Sequence, residues 1–193
     1  MRKWKRVDGA QGPRFRSALE SHEAELLSSL VTSLLGMLDD RASSTPVDEL
    51  SDITGMRTGN SVPPQDDTMR RILPDFYRPA TEHPAGSGAA DSLNGALRSL
   101  HEPDIIDAKR QAAQRLLQTL PAGGGKVELS EDDAQAWAAA VNDVRLALGT
   151  MLDIGSDGPD RLPPEHPMAA HLDVYQWLTV LQEYLVICLM GSR

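Results

Sequence analysis

Apolar side chains recur with the period of an α-helix over long stretches of this chain. Leu26, Leu27, Leu30, Val31, Leu34, Leu35 and Leu38 follow one another at three- and four-residue steps, opposite Ser28, Ser29, Thr32 and Asp39. Such a stripe predicts an amphipathic helix over about residues 21–40, which must lay its apolar side against another element. The period returns at Leu93, Leu97 and Leu100 and, after Pro103, at Ile106, Ala113, Leu116, Leu117 and Leu120. A proline interrupts the helical hydrogen-bond ladder, so the spacing predicts two helices joined by a tight corner. Ser130 and Asp133 have capping-box spacing before a helix of about 130–152, with a buried seam of Ala134, Trp137, Val141, Val144, Leu148 and Leu152. Beyond a loop rich in proline and aspartate at 156–167, a last helix runs to about residue 190. Its second half is apolar all round, which predicts a helix enclosed by others.

Shorter elements fill the gaps. Lys3, Lys5 and Val7 alternate with Arg2, Trp4 and Arg6, Phe15 sits between Arg14 and Arg16, and Asp8 to Pro13 is turn-forming, which together predict a β-hairpin. Pro121 to Gly125 breaks the chain before a short strand at 126–129. Two strand-then-helix units, opening at Leu19 and at Leu129, echo each other and could pair their strands, because a lone two-stranded ribbon is marginal in water. Thr45 and Pro46 suit the start of a short helix ending before Gly55, residues 55–66 read as a polar loop, and a second short helix at 67–73 stops at Pro74. The stretch 80–91 reads as a flexible linker. The expectation is an α+β fold, a predominantly helical single domain over 1–193, with five to seven helices and a small antiparallel sheet made of the hairpin plus the strand near 126–129.

Charge narrows the function. Residues 1–16 carry six basic side chains against Asp8, a net +5, and the whole chain has a formal charge of −9, so the other 177 residues carry −14. An acidic body repels phosphate backbones over a Debye length of roughly 8 Å, which disfavours broad nucleic-acid binding. Arg2, Lys3, Lys5, Arg6, Arg14 and Arg16 are therefore the candidates for nucleic-acid or partner binding, and the alternative is a solvated edge whose lysines block aggregation. The longest uninterrupted apolar run, Tyr184 to Met190, has seven residues, far below the roughly 20 needed to cross a bilayer. No apolar signal segment follows the basic amino terminus, so a cytoplasmic location is expected.

Catalytic motifs fail one by one. Gly123 to Lys126 looks like a phosphate loop, but Val127 stands where Ser or Thr is required, and a strand follows instead of a helix. The five histidines are scattered, with His166 and His171 five apart rather than four, so no metal site is expected. Ser87 lacks the nucleophile elbow. Asp66 with Asp67 and Asp132 with Asp133 lie at helix starts, where negative charge is favoured. No nucleophile, base and orienting group assemble, so neither an enzyme nor a cofactor is expected. Lys109, Arg110 and Arg115 give the second helix of the Pro103 corner the look of a DNA reader, yet Asp104 and Asp107 occupy its first turn and would repel phosphates. Arg57, Arg70, Arg71 and Arg78 form either a carboxylate-binding loop surface or pins that hold loops to the acidic body. Cys188, the single cysteine, is the redox candidate; its apolar run predicts burial in the core and a raised pKa, so reactivity needs local opening or a homodimer interface.

The same chain resembles a known family. Met1-Arg2-Lys3-Trp4-Lys5-Arg6, Gly12-Pro13-Arg14-Phe15-Arg16, Leu50 through Met56-Arg57-Thr58-Gly59, Arg70-Arg71-Ile72-Leu73-Pro74-Asp75-Phe76, Leu97-Arg98 with His101-Glu102-Pro103, and Asn142 through Gly149 are similar to DUF2017, the AosR-like oxidative-stress regulators of actinobacteria. The resemblance continues through Trp177-Leu178 and Gln182-Glu183-Tyr184. It implies a transcription regulator that senses oxidants through a cysteine pair, works with an alternative sigma factor, and activates cysteine-biosynthesis genes. This chain departs from that chemistry, because Cys188 alone leaves only an intersubunit disulfide, oxidation of one thiol, or no redox sensing. The resulting expectation is regulation through protein contact with a sigma factor or RNA polymerase, and the alternative is a non-regulatory adaptor.

Overall fold

The computed structural model describes residues 1–9, 12–45, 58–77, 88–155, 158, 163 and 165–191. The short helix expected after Pro46, Arg57, Arg78, Ser87, and much of the 80–91 linker and the 156–167 loop lie outside the described residues. The elements are β1 (Lys5–Gly9), β2 (Gly12–Leu19), α1 (Ser21–Ser43), α2 (Asp67–Ile72), α3 (Gly88–Thr119), β3 (Gly125–Leu129), α4 (Glu131–Met151) and α5 (Ala169–Leu189). Among the described residues the fold is thus five helices and one three-stranded sheet, order β1-β2-β3, antiparallel throughout. The α+β class read from the sequence is the class observed.

The chain divides into two compact units, Met1–Leu35 with Lys109–Arg193, and Gly36–Ala108. In the first unit, strand alternation sends Phe15, Leu19, Val127 and Leu129 to one side of the sheet, where all are buried. Helix α4 packs on β2 and β3 and against α5. It contributes Trp137 and Val141, both fully buried, and the Trp4 ring meets Trp137 edge to face at 5.7 Å. The capping box forms as the spacing requires: Ser130 accepts from the Asp133 amide, and the Asp133 carboxylate accepts from the Ser130 amide. Leu152, read as the last seam residue, is instead the half-buried C-cap.

The second unit buries Leu38, Met69, Ile72, Leu73 and Ile106 beside two charged side chains, Arg98 and Glu102. Asp66 caps α2, accepting from the Met69 amide at 2.7 Å. Arg98 donates to Glu102, to the Leu73 and Pro74 carbonyls and to Asp75, and Glu102 also accepts from Arg41 Nε at 2.7 Å. Each buried charge therefore has several partners, which is the condition for keeping it out of water.

Three expectations are corrected. The tight corner at Pro103 does not exist, because α3 runs unbroken for 32 residues with the proline inside it. Pro103 has no N–H for the Ser99 carbonyl, and the Gly59 N–H takes its place at 2.7 Å. The same loop lies flat on the proline ring: a Cβ added at Gly59 would fall 2.8 Å from Pro103 Cγ and Cδ. With no corner, the helix pair of a DNA reader is absent too. Lys109 is bound to Asp143 at 2.6 Å and Arg115 to Asp133, so packing uses two of that helix's cations.

Second, the end of α5 is not enclosed. Leu178, Leu181 and Leu185 are fully buried, but Val180, Val186 and Ile187 are more than a third exposed and Met190 is 75% exposed. Cys188 falls between these two sides and is half-buried rather than in the core. Third, Gly88–Asp91, read as the end of the linker, form the first turn of α3, where Ser92 Oγ donates to the Gly88 carbonyl at 2.6 Å.

Candidate interaction surface

The basic amino-terminal segment folds into the sheet because its alternation suits a strand with one wet side. Register places Lys5 opposite Arg16, Val7 opposite Arg14, Arg16 opposite Glu128, and Ala18 opposite Lys126. Directly opposed residues of an antiparallel pair share a face, so these side chains all stand on the side away from Phe15, Val127 and Leu129. The chain ahead of β1 stays beside β2, since the Arg2 amide donates to the Ala18 carbonyl at 2.9 Å and Ser17 Oγ to the Arg2 carbonyl.

The result is an open groove of about 490 Å³ lined by Arg2, Lys3, Lys5, Arg16, Lys126 and Glu128 among others. Five cations face one carboxylate there. Arg16 Nε donates to Glu128 at 2.6 Å, with both side chains half exposed. Among the described residues Arg2, Lys5 and Lys126 make no ion pair, and Lys3 sits 5.2 Å from the Tyr184 ring centroid. Lys5 stands directly across from Arg16, a like-charge pair that works against the strand pairing instead of for it.

Second contacts hold this surface in place. Glu23 accepts from the Glu20 amide, from Trp177 Nε1 and from the amino group of Met1. Burial raises the Glu23 pKa, but these hydrogen bonds outweigh it and leave the carboxyl below its ordinary value. Asp133 behaves alike: burial pushes it up, the Ser130 and Arg115 hydrogen bonds pull it down further, and the net shift is downward. Its capping box fixes the turn from β3 into α4, and so the position of Lys126 and Glu128. A carboxyl depressed in the folded state stabilises above its unfolded pKa and loses that contribution as pH falls through its folded pKa. Asp133→Asn should therefore lower the melting temperature fully at neutral pH, and the gap from the parent should close on acidification below the ordinary aspartate range. Thermal melts across that range check the sign. Asp143, largely buried on α4, shifts upward because desolvation exceeds the help from Lys109.

The structure brings together four of the predicted basic residues, Arg2, Lys3, Lys5 and Arg16. Arg6 is turned to Asp8 at 3.0 Å, and Arg14 stands opposite Val7 on the wet face without lining the groove. Lys126 and Glu128 were missed; their alternation with Val127 and Leu129 is the signal that places them outward. Arg70 is tied to Asp67 at 3.3 Å and to the Pro64 carbonyl at 3.1 Å, a loop pin, while Arg71 is exposed. Among the described residues no group of three or more His, Cys, Asp or Glu could hold a metal ion, and no helix is long and apolar enough to cross a membrane.

Residues 1–189 match the family described as Domain of unknown function (DUF2017). The chain is 62% identical over 196 residues to proteins named "Oxidative stress regulator AosR" from Mycobacterium tuberculosis and Mycobacterium bovis. It is 59% identical over 195 residues to a "Putative oxidative stress regulator AosR" from Mycobacterium leprae. Each match covers 100% of this chain and 90% of the relative. No solved structure matches.

Proposed function

The chain belongs to the DUF2017 family, and from that membership we propose that it is a regulator of the oxidative-stress response that works by touching a sigma factor or RNA polymerase. The observation that carries this reading is the 62% identity, over the whole chain, to proteins named oxidative stress regulators. Two physical features support the mode of action. The body outside residues 1–16 carries −14, which favours leaving DNA to a partner. The open, positively charged groove is a feature suited to contact with another macromolecule, which supports a role through binding. Its one thiol cannot close an internal disulfide, which leaves oxidation of Cys188 itself or a bridge to a second copy as the redox routes.

The test is transcript profiling of a deletion strain after peroxide, with the tagged full chain restored and its complexes purified on non-reducing gels. Expected are a changed peroxide transcript response, its recovery on complementation, and a sigma factor or polymerase subunit in the complex. Partners without any transcript effect would make the chain an adaptor instead. An unchanged response with Cys188→Ser would remove redox sensing while leaving regulation in place.

A further inference from the structure

We propose that the wet face of the β1-β2-β3 sheet is a docking groove for a carboxylate-rich segment of a partner protein. The inference rests on the regulatory reading above and adds the surface and the chemistry of what it binds. The groove spans all three strands, holds about 490 Å³, and presents Arg2, Lys3, Lys5, Arg16 and Lys126 around the single carboxylate of Glu128. Arg2, Lys5 and Lys126 have no ion pair among the described residues, so three cations stand ready for an outside anion. Lys5 and Arg16 directly face each other across the β1–β2 ladder, a like-charge pair that an incoming carboxylate between them would relieve. Arg16 gives its Nε to Glu128 at 2.6 Å, and the rest of its guanidinium fork still has N–H groups for a second carboxylate.

The choice of a protein over a nucleic acid follows from reach and charge. A duplex extends far beyond the groove and would run its phosphates along a body carrying −14, whereas a short acidic segment delivers its carboxylates only where the cations are. The backbone of the sheet is rigid beneath the groove, because Phe15, Val127 and Leu129 are anchored in the core on its other side. The strand positions that carry Lys5, Arg16 and Lys126 are thus fixed by register, and a concentrated positive face favours fast association with an acidic partner.

The experiment uses the full chain and two labelled probes, a twelve-residue peptide with six glutamates and a twenty-base-pair duplex, followed by fluorescence anisotropy at low and physiological salt. The peptide is expected to bind and to weaken as salt rises. The double variant Lys5→Glu with Lys126→Glu, which turns two attractions into two repulsions, is expected to weaken it by roughly tenfold. Both positions are exposed, and a thermal melt matching the parent confirms that the variant is folded. Because Arg16→Lys keeps the charge but loses the fork, it should weaken the peptide less than Arg16→Glu does. Peptide affinity unmoved by the charge reversals overturns the proposal. Tighter binding of the duplex than the peptide, lost with the same reversals, overturns it too and gives the groove to nucleic acid. If transcripts respond normally in cells carrying the reversed groove, this inference falls and the regulatory reading stands. If the deletion strain has normal transcripts while the groove still takes the peptide, the regulatory reading falls and this one stands.

Discussion

Replacing Glu102 by alanine is expected to destabilise the Gly36–Ala108 unit by about 3–5 kcal/mol, the usual cost of stranding a buried charge. Glu102 is 2% exposed and is the shared acceptor of Arg98 and Arg41. Among the described residues, its removal leaves Arg98, itself 1% exposed, with Asp75, two carbonyls and the Phe76 ring, and leaves Arg41 without a carboxylate. The loss is thus of solvation for two guanidiniums and not of one contact. Urea unfolding gives the total, and hydrogen exchange locates it. The companion variant Arg98→Met with Glu102→Leu removes the two fully buried charges and leaves only the half-buried Arg41 without its carboxylate, so it should cost less than Glu102→Ala alone. A loss below 1 kcal/mol for the single variant, or a double variant as damaged as the single, would mean that water reaches this site.

The second large effect is expected at Gly124. Its φ is +74°, and a Cβ there would lie 2.8 Å from Glu20 C and Ser21 N and 2.9 Å from the Leu19 carbonyl oxygen. These are backbone atoms where β2 turns into α1, and they cannot swing aside as a side chain tip would. Gly124→Ala therefore combines left-handed strain with overpacking, roughly 2–4 kcal/mol in all. The neighbouring Gly123→Ala, where nothing lies within 4 Å, should stay within about 0.5 kcal/mol of the parent. Because Gly124 leads directly into β3, its alanine variant should also weaken the acidic peptide, and Gly123→Ala should not. Equal melting temperatures for the two variants would show that the close approach is not rigid.

How much of this was legible depended on distance along the chain. The hairpin, the Ser130–Asp133 cap and the leucine stripe of α1 are local patterns, and each stands where its spacing put it. Pro103 was misjudged because the group that rescues its helix, the Gly59 amide, comes from a loop far earlier in sequence. Lys126 escaped the candidate surface for the same reason: only its pairing with Ala18 places it beside Arg16 and Lys5. Arg98 and Glu102, four apart on one helix, have the spacing of an ordinary exposed pair, and nothing local reveals their burial. The end of α5 failed differently. An all-apolar stretch says that every side would tolerate covering, not which side is covered.

The Gly59–Pro103 joint also sets the terms on which α3 stays in one piece. Peel the 58–66 segment away, and the Ser99 oxygen is left naked inside a rod, below a ring nitrogen with no hydrogen to answer it. The rod's continuity at its proline thus leans on an amide supplied from outside the rod.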